Sequence, residues 1–149
     1  MPSAADTYGT AFKHGTITCL ARLVGWNDVY LVPADFNAAS SSSGSSGFGV
    51  CDLPIKYTIY LLDEEDANLR TPVVGHTDRP LTPADVMYAA LQTDSRWTVD
   101  STGYNFAHTI DICEYVAFGR AGRKYLVEYV LTPAGAEHPI IVRFRINCI

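Results

Sequence analysis

Lys124-Tyr125-Leu126-Val127-Glu128-Tyr129-Val130-Leu131, followed after a turn by Ile140-Ile141-Val142-Arg143-Phe144-Arg145-Ile146-Asn147-Cys148-Ile149, is the stretch that decides how this chain folds. Apolar and polar side chains alternate with a period of two, which places Tyr125, Val127, Tyr129 and Leu131 on one face of an extended segment. Ile140, Val142, Phe144, Ile146 and Cys148 share a face in the same way. Between the two runs, Thr132-Pro133-Ala134-Gly135-Ala136-Glu137-His138-Pro139 carries the residues that end one strand and begin the next. The pattern predicts a closing β-hairpin, and a hairpin of this kind belongs to a sandwich or a barrel.

Working outward, the same parity recurs. Ile17, Cys19, Ala21 and Leu23 point inward from a strand over 15–24, with Thr16, Thr18 and Arg22 outward. Gly25-Trp26-Asn27-Asp28 turns the chain into a short extended piece at 29–32, and Pro33-Ala34-Asp35-Phe36 starts one helical turn. Ile55-Lys56-Tyr57-Thr58-Ile59-Tyr60-Leu61-Leu62 is β-branched and aromatic throughout, as in a central strand covered on both faces. Asp63-Glu64-Glu65-Asp66 closes it, and 68–80 reads as irregular or short-strand chain. Thr82-Pro83-Ala84-Asp85 has a hydroxyl at the cap position and proline at the first helical one. A short helix is therefore expected from there to about Thr93, with Val86, Met87, Ala90 and Leu91 on one face. Two more strands are expected over 96–99 and 104–110.

Length and composition fix the setting. A chain of 149 residues with 48% hydrophobic and 18% charged residues can bury a substantial core as one domain. The expected organisation is a flexible N-terminal arm over 1–13 and a single domain over 14–149, with a mobile Ser/Gly loop at 40–49. The net charge of −5 argues against duplex DNA binding, which needs a dense cationic surface. No apolar run suggests a signal peptide or a membrane span, so a cytoplasmic or virion location is the expectation. Cys19, Cys51, Cys113 and Cys148 form no C-x-x-C pair. Cys19 and Cys148 follow the apolar parity and read as small buried hydrophobes, although spacing does not settle whether they are bonded.

From Tyr104 onward, and above all in Gly122-Arg123-Lys124-Tyr125-Leu126-Val127-Glu128 followed by the strand over 140–149, the chain resembles the last strands of immunoglobulin-like β-sandwich domains. Phage virion and bacterial surface structural proteins carry such domains. The resemblance implies a mainly β fold, an antiparallel sandwich of about seven strands with one short connecting helix, and a tyrosine hydroxyl that pins a corner. In that group a glycine stands two positions before the tyrosine, whereas Gly122 stands three before Tyr125. Val127 occupies the position of the inter-sheet cysteine, so that disulfide is absent.

The search for chemistry yields surfaces more readily than a catalytic constellation. No Gly-x-Ser-x-Gly elbow occurs, and Ser45 and Ser46 sit in the Ser/Gly loop. His76 and Asp78 in a turn and the acidic run at 63–66 lack the spacing of a calcium loop, so no metal and no cofactor is expected. His108 shares an inward face with Tyr104, Phe106 and Ile110, as a core histidine bonded to backbone would. Trp26 and Phe48 fall in segments expected to be exposed, with Tyr30 and Phe36 nearby. These aromatics either anchor an interface or fold back over the sandwich edge. Arg143 and Arg145 project from the outer face of the last strand, where they would guard a sheet edge, and either could pair with Glu128. The leading expectation is a non-enzymatic structural or interaction module with no catalytic residues. It would form a homo-oligomer or join a larger particle through Trp26, Tyr30, Phe36, Phe48, Arg143 and Arg145, a phage virion being one setting. The alternative is a carbohydrate- or small-molecule-binding sandwich with Trp97, Tyr104 and His108 lining a pocket.

Overall fold

The computed structural model describes residues 7–11, by backbone alone, together with 15–25, 29–36, 54–66, 69–110, 117–133 and 138–149. Trp26, Phe48, Cys51, Cys113 and the Ser/Gly loop at 40–49 lie outside the described residues. The chain is mainly β. In order it forms β1 (Thr7–Ala11), β2 (Ile17–Ala21), a 3-10 turn (Pro33–Phe36), β3 (Ile55–Leu62), β4 (Arg70–Pro72) and β5 (Arg79–Leu81). The single-turn helix α1 (Pro83–Val86) then leads into β6 (Met87–Gln92), β7 (Tyr104–Ile110), β8 (Lys124–Leu131) and β9 (Ile140–Cys148).

Two sheets result. The larger runs β1-β9-β8-β3-β4, with β5 also on β3, and the smaller runs β2-β7-β6. Every pairing is antiparallel except that of β1 with β9. The closing hairpin forms as its alternation requires, with Lys124 opposite Asn147 and Leu131 opposite Ile140. Its inward residues Tyr125, Val127, Tyr129, Leu131, Val142, Phe144, Ile146 and Cys148 are all buried. Ile55, Tyr57 and Ile59 of β3 join them, and Cys19, Phe106 and Ile110 face them from the smaller sheet. The sheets meet where the Phe106 ring stands edge-on to Tyr129 at 4.9 Å. Burial of each such large side chain contributes about 1.5–3 kcal/mol.

Several expectations are corrected. Residues 7–11, placed in a flexible arm, form β1, with Thr7 opposite Phe144 and Ala11 opposite Cys148. A segment without a strand pattern of its own pairs when a free row of backbone groups is available, and β9 supplies that row. β9 therefore lies between β1 and β8, so Arg143 and Arg145 do not guard an edge. The helix expected up to Thr93 stops after one turn, and Met87–Gln92 becomes β6 on the free side of β7. Helix propensities among Met, Ala, Leu and Gln differ by only a few tenths of a kcal/mol, so edge pairing and the burial of Met87 outweigh them. Residues 96–99 form a fastened turn and no strand. The strand expected over 15–24 spans Ile17–Ala21, because Leu23 leaves the ladder to bond with the Asn105 side chain. Phe36, expected near the surface, is 2% exposed and belongs to the core.

Candidate functional site

Tyr57 of β3 and Tyr129 of β8 are directly opposite in register, and their rings lie side by side at 5.9 Å between the sheets. Each hydroxyl reaches a histidine. The Tyr57 hydroxyl lies 2.9 Å from His76 Nδ1, and the Tyr129 hydroxyl lies 2.8 Å from His108 Nδ1. His76 is held there by its backbone, whose carbonyl accepts the Ile59 N–H while its own N–H donates to Val73. His76 is thus buried, not part of a solvated turn, and His108 is bonded to a phenol instead of to backbone. The Cys19 thiol, opposite His108 in the β2–β7 ladder, shares the Tyr129 hydroxyl.

Removal from water sets the protonation of this chain of groups. Burial pushes the Cys19 thiol up to about 12, and it pushes the Tyr129 phenol well above its ordinary value. Burial and the nearby His76 bring His108 down from 6.5 to about 4. At neutral pH the thiol, the phenol and the His108 imidazole are therefore uncharged, and they act as hydrogen-bonding groups. Cys19 and Cys148 are both buried, and no disulfide joins them. A thiol with so high a pKa is a poor nucleophile.

His108 also lines an open cleft of about 460 Å³. The cleft exists because β6 departs from β7. β6 pairs with β7 only between Met87 opposite Phe106 and Gln92 opposite Tyr104, with the register shifting in between. Beyond Phe106, residues 107–110 pair with β2 alone, and the chain at 80–86 passes across the space that another strand would fill. Thr18, Thr82, Asp85, Tyr88, Arg96 and Thr109 supply the polar lining, and Pro80, Leu81, Val86 and Ala107 the apolar part.

At the end of the sandwich where β2, β6 and β8 finish, a network of charges fastens the loops. Arg22 makes a two-point ion pair with Asp100, both contacts at 2.8 Å, and donates to the Gly103 carbonyl. Asp100 also accepts the Trp97 indole N–H and the Thr102 and Gly103 backbone N–H groups. Asp94 accepts the Tyr104 hydroxyl at 2.6 Å and the Arg96 guanidinium at 3.0 Å. These donors, Arg96 and then Tyr104 for Asp94, Arg22 and then Trp97 for Asp100, hold both carboxyls well below the usual range. Beside this network lie three exposed apolar side chains, Val24, Val29 and Tyr30. Val24 bridges to Tyr30, and Val29 and Tyr30 are 63% and 41% exposed, while Val99 of the neighbouring loop is 70% exposed.

The residues singled out in the sequence are therefore dispersed. Tyr30 is exposed in its bridge to Val24, Phe36 is in the core, and Trp26 and Phe48 lie outside the described residues. Arg143 pairs with Glu128 on the outer face at 3.0 Å, and Arg70 approaches the same carboxylate at 3.6 Å. Of Trp97, Tyr104 and His108, only His108 lines the cleft, since Tyr104 is buried against Trp97 and Tyr88. Tyr88, Asp85 and Thr82 were hidden in a segment whose composition favours helix. Among the described residues no group of three or more His, Cys, Asp or Glu side chains could hold a metal ion, and no helix is long and apolar enough to cross a membrane. Comparison with protein-family models, curated proteins and solved structures finds no significant match.

Proposed function

We propose that the chain is an immunoglobulin-like sandwich that works as a non-enzymatic interaction module, assembling with copies of itself or into a larger particle such as a phage virion. Strand order supports the fold reading: β2-β7-β6 set against β9-β8-β3-β4 follows the B-E-D and G-F-C-C′ order of variable-type domains. The Tyr125 hydroxyl accepts the Arg120 backbone N–H at 3.0 Å, a bond of the kind that pins the tyrosine corner. The observation that carries the function is the exposure of the apolar side chains Val24, Val29 and Tyr30, with Val99 in the neighbouring loop. Charge pairing between Arg22 and Asp100 fixes the two loops relative to each other, so the apolar groups are presented on a firm base. Large apolar groups held exposed in this way gain free energy when a partner covers them.

Light scattering against concentration tests the reading. The chain is expected to associate, and the Val29→Asp/Tyr30→Asp double variant to stay monomeric with an unchanged melting temperature. A wild-type chain that remains monomeric up to about 1 mM would put self-association below about 4 kcal/mol and overturn assembly with copies of itself.

A further inference from the structure

We propose that the cleft beside β7 binds a neutral mono- or disaccharide, a role separate from the interaction module. Its size falls in the range of small-molecule sites, and the polar groups on its walls are complementary to a polyol rather than to an anion, an apolar ligand or a peptide strand. Arg96 is the cation on the wall, and its charge is offset by Asp94 at 3.0 Å, while Asp85 adds a carboxylate. An anionic ligand would meet the Asp85 carboxylate with only the already paired Arg96 to offset it. An extended peptide would need a free strand edge of useful length, and the stretch of β7 without β6 covers only 107–110.

The groups present are those that read hydroxyls. Asp85 accepts from a sugar hydroxyl, and the Thr18 and Thr109 hydroxyls, bonded to each other at 2.8 Å, can each take a further bond. Thr82 makes no capping bond with its side chain, so its hydroxyl is available to the cleft. His108 is uncharged at neutral pH and anchored through Nδ1 to Tyr129. With the phenol as the donor in that bond, Nε2 keeps its proton and offers an N–H to a sugar oxygen. Tyr88 supplies the flat apolar surface on which the C–H face of a sugar ring rests. Its ring is braced edge-on against Tyr104 at 5.8 Å, and Tyr104 is tied to Asp94, so the platform is fixed before the ligand arrives. The backbone adds polar groups of its own, because alternate N–H and C=O groups of 107–110 point to the side that β6 has left.

The test is an NMR titration of the whole chain with glucose, galactose, mannose, lactose and maltose, read at Tyr88, Ala107 and Thr109. One of these sugars is expected to saturate the shifts with millimolar affinity, as usual for a shallow open site. Tyr88→Ala and Asp85→Asn are each expected to weaken binding at least about tenfold, with melting temperatures within a few degrees of wild type. Absence of saturable shifts with every sugar overturns the proposal. So does binding that both variants leave unchanged, and so does a preference for inorganic phosphate or for an extended peptide in the same titration. Because the cleft and the 24–30 hairpin share no residue, the Val29→Asp/Tyr30→Asp variant should bind the sugar normally.

Discussion

The Asn105 side chain extends the β2–β7 ladder where the backbone of Leu23 leaves it. Its carboxamide oxygen accepts the Leu23 N–H at 2.7 Å, and its amide donates to the Leu23 carbonyl at 2.9 Å and to the Leu31 carbonyl at 2.8 Å. One buried side chain thus satisfies three backbone groups on two segments, and it ties the 24–30 hairpin to the smaller sheet. Asn105→Ala strands the Leu23 N–H and the Leu31 carbonyl in a space closed to water, while the Leu23 carbonyl keeps the Leu31 N–H at 3.1 Å. A loss of about 3 kcal/mol in urea unfolding is expected, or roughly 6–12 °C in melting temperature. A change below the error of the measurement would show that the hairpin does not depend on this residue.

Gly103 sets a second structural test. Its φ is +107°, and a Cβ there would stand 2.4 Å from the Gln92 carbonyl oxygen at the point where β6 and β7 diverge. Neither the torsion nor the backbone contact can relax without moving a strand. Gly103→Ala is expected to cost more than about 2 kcal/mol, whereas Gly122→Ala, with open space around it, should pay only for its positive φ.

Acid sensitivity follows from His108. Its folded pKa of about 4 lies below the 6.5 of the unfolded chain, so the unfolded state binds more protons between those values. Stability is therefore full above pH 6.5 and falls as the pH drops towards 4, by up to about 3 kcal/mol. The depressed carboxyls Asp94 and Asp100 act in a lower window, their contribution being lost below the ordinary carboxylate pKa. Urea midpoints at pH 7 and pH 4.5 should differ clearly in the wild type and much less in His108→Gln. Parallel losses in the two proteins would assign the effect elsewhere.

Glu128 collects two guanidiniums on the outer face, Arg143 at 3.0 Å and Arg70 at 3.6 Å, and its own side chain is largely covered. Glu128→Gln keeps the shape and removes the charge. A loss of about 1 kcal/mol at low ionic strength is expected, shrinking in high salt as the exposed arginines are screened.

Site-resolved alkylation should separate the cysteines. Cys19 and Cys148 are buried, and the Cys19 thiol stays protonated until about pH 12. Both should resist iodoacetamide at pH 8 in the native chain and react at once in denaturant. Rapid native labelling of Cys19 would mean that the two sheets part readily.

What the sequence revealed depended on whether a segment's partner was implicit in its own pattern. The β8–β9 hairpin and β3 were legible because alternation and β-branched density state both the period and the buried face. An ion pair of Glu128 with Arg143 or Arg145 followed from the same alternation, and the register selects Arg143. Thr7-Tyr8-Gly9-Thr10-Ala11 has no such pattern, and it is a strand because β9 offers an open edge. Met87–Gln92 reads as helix and is strand for the same kind of reason. The cleft was illegible since it is the gap left by that departure, and its lining comes from α1 and four separate strands brought together by topology.

The parallel contact of β1 with β9 also orders events in time. Thr7 leaves the ribosome long before Phe144, yet the two are neighbours in the larger sheet. Until β9 has been made β1 has no docking place, and β8 must first receive β9. Nascent chains therefore complete their larger sheet only after β9 has emerged, and in that interval the β9 of a second nascent chain on the same message could take up the waiting β1.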